Sequence, residues 1–282
     1  MNKPCKDVLD SQPEELRQAA LFWLAEPVVA HKLNGVARLA QAWSIGSVRL
    51  DAHAVLSPQS PLPGQPAKPE QVMPRLVKRR SMMTTEGRAI LIHALAHIEF
   101  NAINLALDAV YRFRDMPEQY YTDWLNIAVE EALHFSLLEG YLKSKNSFYG
   151  AYDSHNGLWE MAVKTDDDVM VRMALVPRVL EARGLDVTPG MIAKFQYLGE
   201  TELVDILNII QRDEIGHVER GNYWFNELCR QRSFSSSETF HKLLDEYMEE
   251  SMFDSLNQEA RLQAGFSKQE LIDLAARNRH TK

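Results

Sequence analysis

Cysteine is almost missing from this chain of 282 residues, with Cys5 and Cys229 the only two, far apart. Two distant thiols make no disulfide framework, which points to a reducing, cytoplasmic setting. Segments that alternate polar with β-branched residues are missing too, so nothing predicts a sheet. No run approaches the ~20 apolar residues of a membrane span, and the most apolar stretch, Ala89 to Ile98, is interrupted by His93 and His97. The first residues, Met1-Asn2-Lys3-Pro4-Cys5-Lys6-Asp7, carry no apolar core or small-residue cleavage site of a secretory signal. Positive charge is in deficit. A formal net charge of −8 argues against nucleic acid as a dominant partner.

What is present reads as an all-α chain. Hydrophobic residues make up 45% of it, and a chain this long buries roughly 75% of its surface on folding, so no metal is needed merely to hold a core. Six of the twelve prolines fall between Ser57 and Arg75 (Pro58, Pro61, Pro63, Pro66, Pro69, Pro74). That density excludes a helix and predicts an extended strap. Before it, Pro13 to Trp43 predicts one or two helices, with Gly35 a candidate break. After it, long helices are expected over Thr84–Phe113 and Glu118–Lys145, joined by the short turn Asp115-Met116-Pro117, hence antiparallel. A third is expected from Leu158 to Arg183, broken at Gly184–Gly190 and resuming to Leu198. A fourth spans Thr201 to Arg230, and a helical stretch from Glu238 to Arg277 closes the chain. The organisation follows as a helical extension (1–56), the strap (57–80), a four-helix bundle (81–232) and a C-terminal helical segment packed on it (233–282).

The chemistry lies in a repeated spacing. Glu131-Ala-Leu-His134 and Glu214-Ile-Gly-His217 each put a carboxylate and an imidazole three apart on a helix, where both reach one ion. Alone, Glu-x-x-His means little: 23 glutamates and nine histidines predict fewer than one such pair by chance, and the chain has three. The third, Glu238-Thr-Phe-His241, finds Asp205 at the matching offset and has no glutamate there on a comparable preceding helix. The other two do. Glu99 lies 32 residues before Glu131, and Glu181 lies 33 before Glu214, each in an apolar run. The chain thus holds two copies of one unit, a helix with Glu followed by a helix with Glu-x-x-His. Four glutamates and two histidines facing inward in a four-helix bundle match a di-iron or di-manganese carboxylate site, and oxygen-rich ligation with one imidazole per metal suits Fe or Mn. Glu130 and Asp213 directly precede the ligand glutamates, and each is placed to accept a hydrogen bond from an imidazole's non-ligating N–H.

Four stretches carry a family resemblance: His93-Ala-Leu-Ala-His97-Ile-Glu99, Glu130-Glu131-Ala-Leu-His134, Leu180-Glu181-Ala-Arg183-Gly184-Leu185-Asp186-Val187-Thr188-Pro189 and Asp213-Glu214-Ile-Gly-His217. They resemble the ferritin-like family called domain of unknown function 455, from about Asp7 to Arg232. That resemblance implies the bundle and its metal box but no substrate. By similarity to better-known ferritin-like sites, Glu131 and Glu214 would bridge two metals, with Glu99 and His134 completing one ion's ligands and Glu181 and His217 the other's.

The reading that follows is a di-metal protein, with two Fe ions or a Mn/Fe pair. It would activate O₂ or peroxide to oxidise or hydroxylate a small organic substrate, with an external electron donor. Metal handling or peroxide scavenging without an organic substrate is the alternative, as is a non-catalytic protein with a structural di-metal site. The Lys78-Arg79-Arg80 run reads as a solvated face, yet it keeps hydroxylation of tRNA bases in view. Blander roles fit the remaining residues: structural contacts for His93 and His97, a helix-entry loop for His155-Asn156 and core packing for Tyr141 and Trp224. Pro177 is expected to kink its helix.

Overall fold

The computed structural model of the chain describes residues 11–77, 81–248 and 255–277. Among these the regular structure is helical, with two isolated bridges and no strand. The Lys78-Arg79-Arg80 run lies outside the described residues, as does Cys5. Two compact units divide the chain, Met1–Glu160 and Met161–Lys282.

The first unit opens with α1 (Leu16–Leu24) and α2 (Val29–Ser44). Glu15 caps α1 by accepting from the amides of Arg17 and Gln18. The break expected at Gly35 falls instead at 25–28, where Pro27 stops the chain. Gly35 lies inside α2 because the Trp23 ring packs where a side chain would stand, 2.2 Å from the position of a Cβ. The proline-rich strap is irregular apart from a 3₁₀ turn, Pro74–Leu76. Backbone bonds pin it at two places. The Gly64 amide donates to Leu24 O at 2.9 Å, while Val72 N donates to Ser154 O (2.8 Å) and Ser154 N to Glu70 O (3.0 Å).

Helices α3 (Thr85–Arg112) and α4 (Glu118–Ser144) form the antiparallel hairpin at the centre of this unit. Thr84 caps α3 through its hydroxyl, at 3.0 Å from the Gly87 amide. Asp115 turns the chain at φ 61°, a conformation that Asp tolerates better than most residues, and the Tyr121 hydroxyl donates to Phe113 O at 3.0 Å to close the turn. By length and composition α3 is apolar enough to cross a membrane, but 78% of its most apolar window is buried inside the protein. A short helix α5 (Gly157–Lys164) leads out of the unit, its first amide donating to the His155 ring at 3.2 Å.

The second unit holds α6 (Val169–Leu175), a π-helical turn (Val176–Glu181), α7 (Ala182–Tyr197), α8 (Thr201–Gln231), α9 (Ser236–Tyr247), α10 (Gln258–Gln263) and α11 (Lys268–Arg277). Two expectations are corrected here. The helix expected over Leu158–Arg183 is interrupted at 165–168, since Asp168 caps a new helix by accepting from Met170 N at 2.8 Å. The break expected at Gly184–Gly190 does not occur. Pro189 has no amide to donate to Leu185 O four residues back, and Asn257 Nδ2 takes that carbonyl instead, at 3.1 Å. With it satisfied, α7 continues to Tyr197. A third correction concerns the C-terminal stretch, where Gly265 at φ 88° turns the chain between α10 and α11.

One buried cation ties the first unit together. Lys32 on α2 is fully enclosed, and its Nζ donates to Asn104 Oδ1 on α3 at 2.5 Å, to Leu24 O (3.2 Å) and to Gly64 O of the strap (3.5 Å). Burial lowers its pKa from 10.5 to about 7, against the pull of Glu26. Between those values the unfolded chain holds a proton that the folded chain has lost, so this residue makes stability rise with pH from about 7 towards 10.5; below about 7 its cost is complete and constant. Urea unfolding of the wild type and Lys32→Met should therefore differ by a pH-dependent amount, a few kcal/mol across that window at ~1.36 kcal/mol per unit. Parallel pH profiles would contradict this.

Candidate metal centre

The α3–α4 hairpin brings three candidate ligands to one height. Glu99 stands thirteen residues before α3 ends at Arg112, and Glu131 thirteen after α4 starts at Glu118. His134 follows Glu131 by one helical turn. Its Nδ1 stands 3.2 Å from Glu131 Oε2 and 3.4 Å from Glu99 Oε2. One ligand atom from each of the three lies within 4.8 Å of the others. Glu131 and His134 are wholly buried and Glu99 is 4% exposed.

The electrostatics of the cluster favour positive charge among its carboxylates. Burial pushes the Glu99 carboxyl well above the usual carboxylate range, and the neighbouring Glu131 adds to it. For His134 burial works against a proton, yet Glu131 and Glu99 override it and raise the imidazole to about 11. Two buried carboxylates demand positive charge between them, and a proton on His134 supplies one such charge. Glu99 Oε2, though buried, accepts no hydrogen bond from the described residues. A divalent ion on two carboxylate oxygens and an imidazole nitrogen would meet all three demands, so the residues fit a metal.

In the second unit the structure brings Glu214 and His217 near one another. His217 is fully buried, and its Nδ1 lies 3.8 Å from Glu214 Oε2, whose side chain is 12% exposed. The imidazole thus turns the same nitrogen to the carboxylate in both copies. Glu181, half-buried, ends the π-helical turn on the helical run that packs against α8. It stands sixteen residues before α7 ends and Glu214 thirteen after α8 starts, so the two fall within about a turn of one height. The uninterrupted α7 is what makes this work.

The kink expected at Pro177 takes the form of that π-helical turn. The Ala182 amide reaches back five residues to Pro177 O, which absorbs the residue whose own amide is missing. Pro177 packs directly on α8 at Gly221, where a Cβ would lie 2.3 Å from the proline's own. Only glycine allows that approach, so Gly221 and Pro177 together fix the turn that ends at Glu181.

Other singled-out residues fall into place around these clusters. His97 Nε2 donates to His155 O (3.1 Å), and the Tyr149 hydroxyl lies 2.9 Å from its Nδ1, while His93 Nε2 accepts from the Gly150 amide at 2.9 Å. Both histidines hold the 146–156 loop, as a structural role requires. Tyr141 and Trp224 are buried. Asp213 accepts from Arg212 Nε at 2.8 Å. His241 lies beside Arg277 and Asp273, in a small charged cluster. A groove of about 620 Å³ in the first unit, between Trp43, Val48, Glu118 and Asn126, is lined by none of the six candidate ligands. Sequence reasoning missed Arg178, fully buried in the π-helical turn and paired with Glu270 at 2.6 Å; a charged residue inside the apolar run Leu175–Leu180 was the available signal.

Residues 25–272 match the family model described as "Protein of unknown function (DUF455)". The chain belongs to the DUF455 family. An uncharacterized protein of Haemophilus influenzae is 46% identical over 231 residues, covering 79% of this chain and 80% of that protein. No solved structure matches. All six candidate ligands of this DUF455 chain lie inside the family match.

Replacing Gly221 with Ala should force Pro177 away from α8. Overpacking of this kind costs about 1–3 kcal/mol, read as a lower urea midpoint at unchanged slope. A Gly221→Ala chain as stable as the wild type would show that the π-helical turn is not fixed by this contact.

Proposed function

We propose that this DUF455 chain is a dinuclear metal-carboxylate protein of the ferritin-like kind, holding two iron ions or a manganese–iron pair. In this reading it is an oxidoreductase that uses O₂ or peroxide on a small organic substrate, in a reducing cytoplasm, with electrons from an external donor. The observation that carries the proposal is the buried Glu99–Glu131–His134 cluster, in which one imidazole nitrogen faces two carboxylates. The sequence repeats that cluster as Glu181–Glu214–His217.

Each residue then has a task. Glu99, Glu131, His134, Glu181, Glu214 and His217 would hold the two ions, with Glu131 and Glu214 shared between them. Glu130 and Asp213 would accept the outward N–H of the histidines and so hold each ring in its ligating tautomer. The ion pair, when bound, supplies the redox change that activates the oxidant. Around the first cluster the protein contributes dryness: Phe100 and Phe135 directly follow Glu99 and His134, are buried, and pack with their rings tilted and centroids 5.6 Å apart. An apolar wall of this kind excludes bulk water and keeps oxidising equivalents from being spent on solvent.

Elemental analysis of protein purified without added metal, then anaerobic Fe(II) loading and exposure to air in a spectrometer, tests the reading. About two Fe or Mn ions per chain and an absorption band that develops with oxygen are expected. Glu131→Gln should lose bound metal. A chain that takes up no metal after loading, or a Glu131→Gln variant that binds as many ions as the wild type, would overturn the proposal.

A further inference from the structure

The helix around Glu181 is gripped from both sides by the last described segment of the chain. On its N-terminal side Arg178, one turn before Glu181, is fully buried and pairs with Glu270 on α11 (Nη2 to Oε1, 2.6 Å). Its guanidinium lies face-on to three rings, with Phe240, Phe225 and Phe266 at 4.0, 4.3 and 5.2 Å from the guanidinium carbon. Nε and Nη1 make no hydrogen bond among the described residues, so the rings and one carboxylate hold this charge. On the C-terminal side Arg261 forks onto Asp186 (2.7 and 2.9 Å) and donates to Ala182 O, the residue after Glu181, at 3.3 Å. Asn257 adds bonds to Asp186 and to Leu185 O, the carbonyl freed by Pro189.

This grip is more than a stable core needs. Burying an arginine costs several kcal/mol per ion before its partners repay it, and an apolar side chain at position 178 would fill the same space without that cost. What the arginine adds is direction. A planar guanidinium held by one carboxylate oxygen and three aromatic faces restricts the orientation of the π-helical turn, and Glu181 is the last residue of that turn. The first copy of the motif has no counterpart: Glu99 sits in the regular helix α3, with Ala96 three residues before it.

We propose that Arg178 and Glu270 are positioning residues for the ligand Glu181, and that the C-terminal segment is thereby part of the metal site's second half. The inference rests on the reading of Glu181 as a ligand. Glu270 is the residue to change, because its side chain is 15% exposed whereas Arg178 is sealed in. Cobalt(II) is the probe, since its visible spectrum reports the ligand geometry of each ion.

Glu270→Gln should keep wild-type circular dichroism but bind about one cobalt ion where the wild type binds about two, and its spectrum should match that of Glu181→Gln. Glu270→Asp, which keeps the charge, should recover part of the lost cobalt, and it serves as the test variant if Glu270→Gln does not fold. A folded Glu270→Gln with the wild-type cobalt count and spectrum would overturn the inference while leaving the metal reading intact. Wild type that binds no cobalt would overturn the metal reading, and this inference with it.

Discussion

Two carboxylates and an imidazole, buried together on one helical hairpin, set the terms for the first half of this protein. Each ionised carboxylate taken out of water costs several kcal/mol unless it is paired, and Glu99 and Glu131 are placed to raise each other's cost. A protein selected for stability alone would put leucines there. A divalent cation held among the three side chains would offset that cost. The hairpin's length, its equal arms and the Asp115 turn then read as a frame that holds three side chains at one level.

The second half carries the same ligand types on a less regular scaffold. There the helix preceding the Glu-x-x-His motif is built around two prolines, and each proline is accommodated by a specific partner. Pro177 is taken up by a π-helical turn seated on Gly221, and Pro189 by an amide from Asn257. Helices that spend stability on such irregularities commonly do so where a side chain must be aimed. Glu181 lies between the two.

The sequence made the all-α class and the hairpin of α3 and α4 legible to within a residue or two, because apolar periodicity, a threonine cap and a proline-marked turn all agree there. The buried Glu99–Glu131–His134 cluster was legible because a glutamate on one helix and Glu-x-x-His on the next recur in the sequence. The interior of the third long helix was not. Gly184, Pro189 and Gly190 are local break signals, and local signals lose to a tertiary bond: Asn257, sixty-eight residues further on, supplies what Pro189 lacks. Gly35 misled in the same way, since its reason for being glycine is the Trp23 ring rather than a turn. The burial of Lys32 and Arg178 was equally hidden, because each depends on carbonyls, rings or a carboxylate that come together only in the folded chain.

The proposed function stands or falls on whether bound iron forms one dinuclear centre rather than two separate ions. X-ray absorption at the iron edge of the Fe-loaded chain measures this directly, through scattering from one metal to the other. The account predicts a metal–metal distance of about 3.5–4 Å, lost in a Glu131→Gln chain. A spectrum fitted by oxygen and nitrogen neighbours alone, with no metal scatterer at that range in the fully loaded protein, would contradict it.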